Sequence, residues 1–300
     1  MNSVVLITGA STGFGRLAAE TLSRRGYTVF ATMRDIAGRN ALNRDELVSF
    51  AAANNLRLTV LELDVTEDAS VERAAQSMLQ QAGRVDVVIN NAGFGNIGVT
   101  EAYTIEQFQT LFDTNVYGPL RVNRAVLPLM RRQRSGLLIH VTSVAGRVSV
   151  PYMAPYCASK FALEAIAEAY RFELSAFGID SVVVEPGVFK TPIFGKVFVP
   201  ADTPRVSDYG AANYSQRVVS TFDAAISAPE APDPAEVIDA FVTLIELPAG
   251  QRPFRTVVGA GVQPLLQPHN EASEQITLAF NQIFNLPELM PEKKTRTAGS

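Results

Sequence analysis

The sequence predicts an α/β protein built on a doubly wound parallel sheet, and three observations carry that expectation. Short runs of consecutive Val, Ile and Leu recur through the first two thirds of the chain. Unbroken apolar runs are how strands read when helices cover both faces of their sheet. Longer amphipathic stretches separate these runs, and strand–helix–strand repetition means right-handed crossovers between parallel strands. A glycine-rich turn also follows the first run directly and opens into a helical stretch.

The first strand is expected at residues 4–8, followed by the turn Gly9-Ala10-Ser11-Thr12-Gly13-Phe14-Gly15 and a helix over 16–25. Further strands read at 28–32, 56–61, 85–89, 137–142 and 181–185, with helices at 69–82, 105–132 and 156–177. A helix at 234–247 and a last strand at 256–258 complete the alternation. Residues 189–233 carry many Pro, Ala, Ser and aromatic residues with weak periodicity. So long an irregular insertion in a compact fold reads as a substrate lid or mobile loop. A C-terminal extension, 263–300, holds one expected helix at 271–284 and a polar end, 292–300, expected to fray. With no internal repeat or linker, the whole chain reads as a single domain.

The 300 residues carry a formal net charge of -4 and are 47% hydrophobic, an ordinary globular composition. A chain this long needs neither disulfide nor metal to hold it, and its one cysteine, Cys157, cannot form an intrachain disulfide. A lone cysteine suits a reducing compartment. No apolar run approaches the ~18 residues of a membrane span, and no charged leader precedes residues 4–7. A cytoplasmic location is therefore expected. Mild acidity gives no footprint for nucleic acid. Arg131, Arg132 and Arg134 read as a solvated helix end, where cations suit the dipole. His140 and His269 are too far apart in sequence to suggest a metal site, so no metal is expected.

Glycines remove Cβ where backbone must turn sharply and approach a ligand. The helix that follows then points free N–H groups and a positive dipole end at a phosphate. Three residues separate Gly9 from Gly13 and one separates Gly13 from Gly15, which departs from G-x-G-x-x-G. Alone, such spacing also fits a turn that binds nothing. Tyr156 and Lys160 sit four apart on an expected helix and share a face. A free tyrosine titrates near ~10, and a neighbouring ammonium favours the phenolate; in isolation the two would read as a surface pair. Ser143 follows the fifth strand, at the edge where open α/β sheets bind ligands. Its hydroxyl suits a substrate oxygen, or a turn cap, which Thr142 would serve as well. Asn115 is polar within an apolar helical pattern, where Asn competes for backbone bonds; a solvent-facing Asn is the alternative. Cys157 has no basic partner in sequence and reads as helix packing.

In register along the chain, Thr8-Gly9 through Gly15, Asn90-Asn91-Ala92-Gly93, Asn115, Ser143, Tyr156-Cys157-Ala158-Ser159-Lys160 and Pro186-Gly187 with Thr191 resemble the short-chain dehydrogenase/reductase family. The resemblance runs as far as the strand expected at 256–258, and the thirteen-residue offset to Tyr156 selects Ser143 over Thr142. It implies a Rossmann fold and hydride transfer between NADP(H) and a carbonyl or secondary alcohol. Tyr156 would be the general acid/base and Ser143 would hold the substrate oxygen. Lys160 would also bind the nicotinamide ribose, and Asn115 would hold a water that relays protons. Implied cofactor contacts are Gly9, Ser11, Gly13, Phe14 and Gly15 in the turn, and Asp64 and Val65 beside the adenine. The backbone of Asn91, Ala92 and Gly93 would follow, with Asn90 holding the sheet. Pro186, Gly187 and Val188 would meet the nicotinamide and Thr191 its carboxamide.

Cofactor choice is read from Ala31-Thr32-Met33-Arg34-Asp35 at the end of the second strand. An acidic residue there binds the ribose 2′-hydroxyl of NAD, whereas an Arg accommodates the 2′-phosphate of NADP. In the family register Met33 takes the acidic position and Arg34 follows, so NADP(H) is favoured over NAD(H). The competing reading lets Asp35 reach the ribose. The substrate pocket is expected from 94–99, 144–153 and the lid from 189 to 214. Phe94, Val148, Val150, Tyr152, Met153, Phe189, Ile193, Phe194, Val197 and Phe198 there suit a lipophilic carbonyl or alcohol, such as a ring ketone, a steroid-like molecule or a long-chain alcohol. The lid aromatics would equally serve a dimer contact. The Thr32–Asp35 stretch and long tail are similar to the steroid and retinoid dehydrogenase branch. Relatives pair through helices such as 105–132 and 156–177, implying a homodimer or homotetramer. Two rival classes are a catalytically silent NADP-binding regulator and an epimerase or dehydratase that returns the hydride. The intact Ser143, Tyr156, Lys160 and Asn115 set argues against the first. The residues after Gly187, few and apolar, argue against a sugar-nucleotide domain and so against the second.

Overall fold

A computed structural model describes residues 3–191, 197–259 and 261–285. Its strands are β1 (Val4–Ile7), β2 (Thr28–Met33), β3 (Leu58–Glu62), β4 (Val87–Asn90), β5 (Gly136–Val141), β6 (Ile179–Pro186) and β7 (Arg255–Val258). All pairs are parallel and form one sheet in the order β3-β2-β1-β4-β5-β6-β7. The order reverses between β1 and β4, and ligands bind outside the carboxyl ends at such a switch. The expected doubly wound sheet and its strands are therefore present, displaced at their ends by one or two residues.

The helices are α1 (Gly13–Arg24), α2 (Ala41–Ala53), α3 (Asp68–Ala82), α4 (Ile105–Phe112) and α5 (Gly118–Gln133). Then follow α6 (Ala154–Glu173), α7 (Thr203–Asp208), α8 (Ser215–Ser227), α9 (Ala235–Glu246) and α10 (Gln263–Asn281). Alternate strand residues face opposite layers, as the strand period of two requires. Val5, Ile7, Val29 and Ala31 pack with Leu22 of α1, Leu47 of α2 and Phe241 of α9. Val4, Leu6, Phe30 and Val88 pack with Val71 and Met78 of α3 and Val122 and Val126 of α5. Each such side chain, taken fully from water, contributes about 1.5–3 kcal/mol. No described helix is long and apolar enough to cross a membrane.

Four sequence expectations are corrected. No helix was expected between β2 and β3, yet α2 makes that crossover. It buries only Leu47 and Ala51 while Leu42 and Val48 stay exposed, so its apolar residues mark no single face. The helix expected at 105–132 is interrupted by a π turn, Asp113–Tyr117, between α4 and α5. The lid, expected to be irregular, contains α7 and α8; Asp202 caps α7 by accepting from the Arg205 N–H. The last helix begins at Gln263 instead of 271, because Pro264 fits a first turn and Pro268 is tolerated inside. The expected frayed end, 292–300, lies outside the described residues.

Candidate active site

The glycine turn is shaped by positions that only glycine fills without strain. Gly9 and Gly13 have φ of 69° and 59°, in the left-handed region that costs other residues. A Cβ on Gly15 would lie 2.5 Å from both the Gly9 carbonyl oxygen and the Asn91 amide. The end of β4 braces this turn. Thr8 Oγ1 accepts from the backbone N–H of Asn91 and of Ala92, each at 3.0 Å. Asn91 Nδ2 donates to the carbonyls of Thr8 and Gly9 at 2.9 and 3.2 Å. α1 starts directly after this turn, at Gly13, and a helix start suits an anion.

One cavity of about 940 Å³ runs from Arg34 and Asp64, past Gly9, Ser11, Gly13 and Phe14, to Ser143, Tyr156 and Lys160. Val65, Asn91, Ala92 and Gly93 line it along β3 and β4, and Pro186, Gly187, Val188 and Thr191 line it beyond β6. Gly15 and Asn115 are not in its wall. Gly15 instead gives the turn and α1 room to pack, and Asn115 works from behind. Arg34 Nη1 lies 3.9 Å from Asp64 Oδ2. Asp35 turns away: its carboxylate accepts from the Arg39 N–H at 3.0 Å and is not part of the wall, whereas Met33 and Arg39 are.

The π turn places Asn115, which is 1% exposed. Pro119 has no N–H to return to the Asn115 carbonyl, and Arg121 donates to the Asp113 carbonyl at 3.3 Å. Asn115 Oδ1 accepts from the Phe94 N–H at 3.1 Å, and its Nδ2 donates to the Phe94 carbonyl and to Ser159 Oγ at 2.9 and 3.1 Å. It thus ties the loop after β4 to α6. Asn90 Nδ2 donates to Asn123 Oδ1 at 2.9 Å, tying the end of β4 to α5.

Ser143, Tyr156 and Lys160 meet at the carboxyl end of β5. Lys160 Nζ donates to the Val141 carbonyl at 2.8 Å and lies 5.6 Å from the centre of the Tyr156 ring. Ser143 Oγ lines the cavity and also caps the turn after β5, accepting from the Ala145 N–H at 3.1 Å. Thr142 instead donates to the Val184 carbonyl. Burial pushes the Tyr156 phenol up to about 12, opposed by hydrogen bonding with Ser143. The expected lowering by Lys160 does not prevail there, because desolvation is the larger effect. Burial pulls the Lys160 amine down to about 8, with Glu164 opposing. His140 is buried and structural; burial, then the charge of Lys160, pull it down to about 3. Cys157 is packed, with Sγ accepting from the Val150 N–H at 3.4 Å. Among the described residues no His, Cys, Asp and Glu cluster is arranged to hold a metal.

At the far end the wall is apolar: Phe94, Val150, Met153, Phe189, Val197 and Phe198, as expected, with Ile97 and Phe222 added. Val148 and Tyr152 are not part of it, and Ile193 and Phe194 lie outside the described residues. Tyr152 fastens the lid, donating to the Ala212 carbonyl and accepting from the Tyr214 N–H, each at 3.1 Å. Gln107 and Tyr103 hold its near side through the carbonyls of Val199 and Phe198 at 2.8 and 2.7 Å. Sequence reasoning missed Phe222, which lies beyond the expected end of the pocket at 214. It also missed Asn96, whose Oδ1 accepts from the Tyr156 N–H at 2.7 Å and so caps the first turn of α6. A polar residue in the Phe94–Ile97 stretch was the available signal.

Comparison with known proteins adds four likenesses to this geometry. The short chain dehydrogenase family model matches residues 3–200. The 3-ketodihydrosphingosine reductase of Bacteroides thetaiotaomicron is 38% identical over 188 residues, 63% of this chain and 64% of that protein. The match thus spans under two thirds of that relative's length. Retinol dehydrogenase 8 of Homo sapiens is 34% identical over 296 residues, 95% of this chain and 92% of that protein. Among solved structures, a short-chain dehydrogenase from Streptomyces avermitilis has a TM-score of 0.75 at 31% identity, covering 95% of this chain and 98% of that one.

Proposed function

The chain belongs to the short-chain dehydrogenase family, and from that premise we propose that it reduces the carbonyl of a lipophilic substrate with NADPH, Tyr156 giving the proton. The carrying observation is one cavity with a braced glycine turn along it and Ser143, Tyr156 and Lys160 gathered further on. The turn fits a diphosphate because the positive φ of Gly9 and Gly13 bends the backbone along the cavity and α1 opens beside it. When bound, the nicotinamide supplies the hydride. The chain's own groups do the rest. Ser143 Oγ holds the substrate oxygen as charge develops on it. Tyr156 Oη donates the proton, and a phenol that titrates near about 12 is fully protonated at neutral pH, the form that reduction needs. Lys160 and an Asn115-bound water resupply it.

The preference for NADP(H) rests on Arg34 and Arg39 in the cavity wall and on Asp35 being turned away. A guanidinium suits a phosphate dianion. The apolar far wall supports a lipophilic substrate, and two relatives carry names, a ketodihydrosphingosine reductase and a retinol dehydrogenase, that fit such a class. We read the chain as one domain, with 189–233 as the lid and 263–300 as the extension, working in the cytoplasm. Purified protein mixed with NADPH and a panel of long-chain and ring ketones should consume NADPH by absorbance. Tyr156→Phe should lose turnover by at least about 10²-fold, the usual share of a general acid, while its NADPH affinity stays near wild type. Turnover surviving in that variant would remove Tyr156 from the chemistry.

A further inference from the structure

Behind the catalytic residues lies a buried cluster of charge that the proposed reaction does not use. Glu164 follows Lys160 by one turn of α6 and is 2% exposed, and Glu185 on β6 is fully buried. Arg255 of β7 serves three carboxylates. Its Nε lies 3.2 Å from Glu164 Oε2 and 3.6 Å from Glu185 Oε1, and its Nη1 lies 3.1 Å from Glu168 Oε1. Asn270 of α10 donates to Glu185 Oε2 at 2.6 Å, and Arg147 donates to Asn270 Oδ1 at 2.8 Å. Oε1 of Glu164 and Oε1 of Glu185 accept no hydrogen bond. Buried carboxylates so thinly paired are costly, and a fold that keeps them invites a functional reason.

Glu164 is wedged under the segment that carries Ser143. A Cβ on Gly146 would stand 3.1 Å from Glu164 Cγ and 3.3 Å from the Lys160 carbonyl. Val141, one residue before Thr142, accepts from Lys160 Nζ, while Thr142 favours the ionised form of Glu164. The cation on α6 thus holds the end of β5, and the turn after it packs on the anion one helical turn on.

We propose that Glu164 is a positioning residue for Lys160, its carboxylate keeping the buried amine charged and seated on the Val141 carbonyl. As a role in catalysis this rests on the oxidoreductase reading above. Besides Glu164, one helical turn on, the titratable neighbours of Lys160 are Tyr156 on α6 and His140 on β5; those acting on Glu164 are Glu185, Arg255 and Arg147, with Glu168 sharing Arg255. Burial works against the charge on Lys160, and Glu164 counters it. Burial and the neighbouring Glu185 push Glu164 itself up from the usual carboxylate range, with Arg255 and Arg147 resisting. At low enough pH Glu164 therefore takes a proton and releases its hold on the amine.

The sequence has five lysines, Lys160, Lys190, Lys196, Lys293 and Lys294, so ¹³C-lysine labelling gives a sparse NMR spectrum. The Lys160 signal is identified by its loss in Lys160→Met. In Glu164→Gln the Lys160 titration should move down by about one unit or more, the lower end of what a nearby opposite charge produces. Glu168→Gln, which removes a carboxylate from the same arginine farther along α6, should leave it in place. An unmoved Lys160 titration in Glu164→Gln overturns the proposal. Should that variant not fold, the unaltered protein decides. Its Lys160 signal should then show a second inflection where the Glu164 carboxyl carbon titrates, and a single inflection blind to Glu164 overturns the proposal equally. Neither readout needs turnover. A shifted titration in a protein that reduces nothing would sink the functional reading and leave the pairing intact.

Discussion

Lys160 shows how much a single side chain owes to its surroundings. Read from spacing, it is a cation on the same helical face as Tyr156; in the fold it is a buried amine pulled to about 8 and fastened to a strand carbonyl. Spacing identified the pair but not the sign of the larger effect, because desolvation depends on residues far away in sequence. Arg34 and Asp35 were the other open question at this scale, and the positive φ of Asp35, 50°, is what turns its carboxylate into the next turn. Arg34→Ala should weaken NADPH binding roughly tenfold or more, the worth of one charge-assisted hydrogen bond, and leave NADH nearly unchanged. Fluorescence titration with both nucleotides checks this, and equal losses would return the choice to Asp35. The residues that proved hardest to read are those that act through backbone. Asn96 serves by accepting one N–H from Tyr156, and nothing in its neighbours along the chain announces that partner.

Elements fared according to how clear a face they present. The buried strands were legible because four or more apolar residues in succession have few other readings. The crossover α2 was invisible because Leu42 and Val48 point outward and blur its stripe. The break between α4 and α5 has a sequence cause, the missing N–H of Pro119, and a polar Asn115 in an apolar pattern is its visible sign. The lid helices were obscured for a different reason: α7 is only six residues long, and α8 buries no residue fully, so its amphipathic signal is weak. The glycine turn allows a strict test at this scale. Gly15→Ala puts a methyl 2.5 Å from the Gly9 carbonyl oxygen, a backbone atom that cannot swing aside. It should cost about 1–3 kcal/mol of stability, the usual range for overpacking, and abolish detectable nucleotide binding. A variant that melts and binds like wild type would show that the turn is looser than its geometry.

For the molecule as a whole, the sheet order was legible in kind: repeated crossovers and a nucleotide-type turn imply parallel strands around a switch point. The C-terminal part was less so, since α10 joins the core through Leu266 and Asn270 alone among its buried residues. Assembly is the remaining expectation at this scale. Copies are expected to pair through α5 and α6, where Phe161 stays 41% exposed. Phe161→Glu should lower the mass measured by light scattering to that of one chain; an unchanged mass would move the contact elsewhere.

The brace between Thr8 and Asn91 has a consequence in time as well as in space. The hydroxyl that shapes the turn waits for a partner 83 residues downstream. At ribosomal speeds of about 5–20 residues per second, that is roughly 4–17 s in which the first strand has left the exit tunnel without its central neighbour. Long-range parallel pairing is slow to form in any case. Newly made chains should therefore pass through a sticky interval early in synthesis, and helper proteins that shield apolar segments should raise the yield of active material more than they raise its final stability.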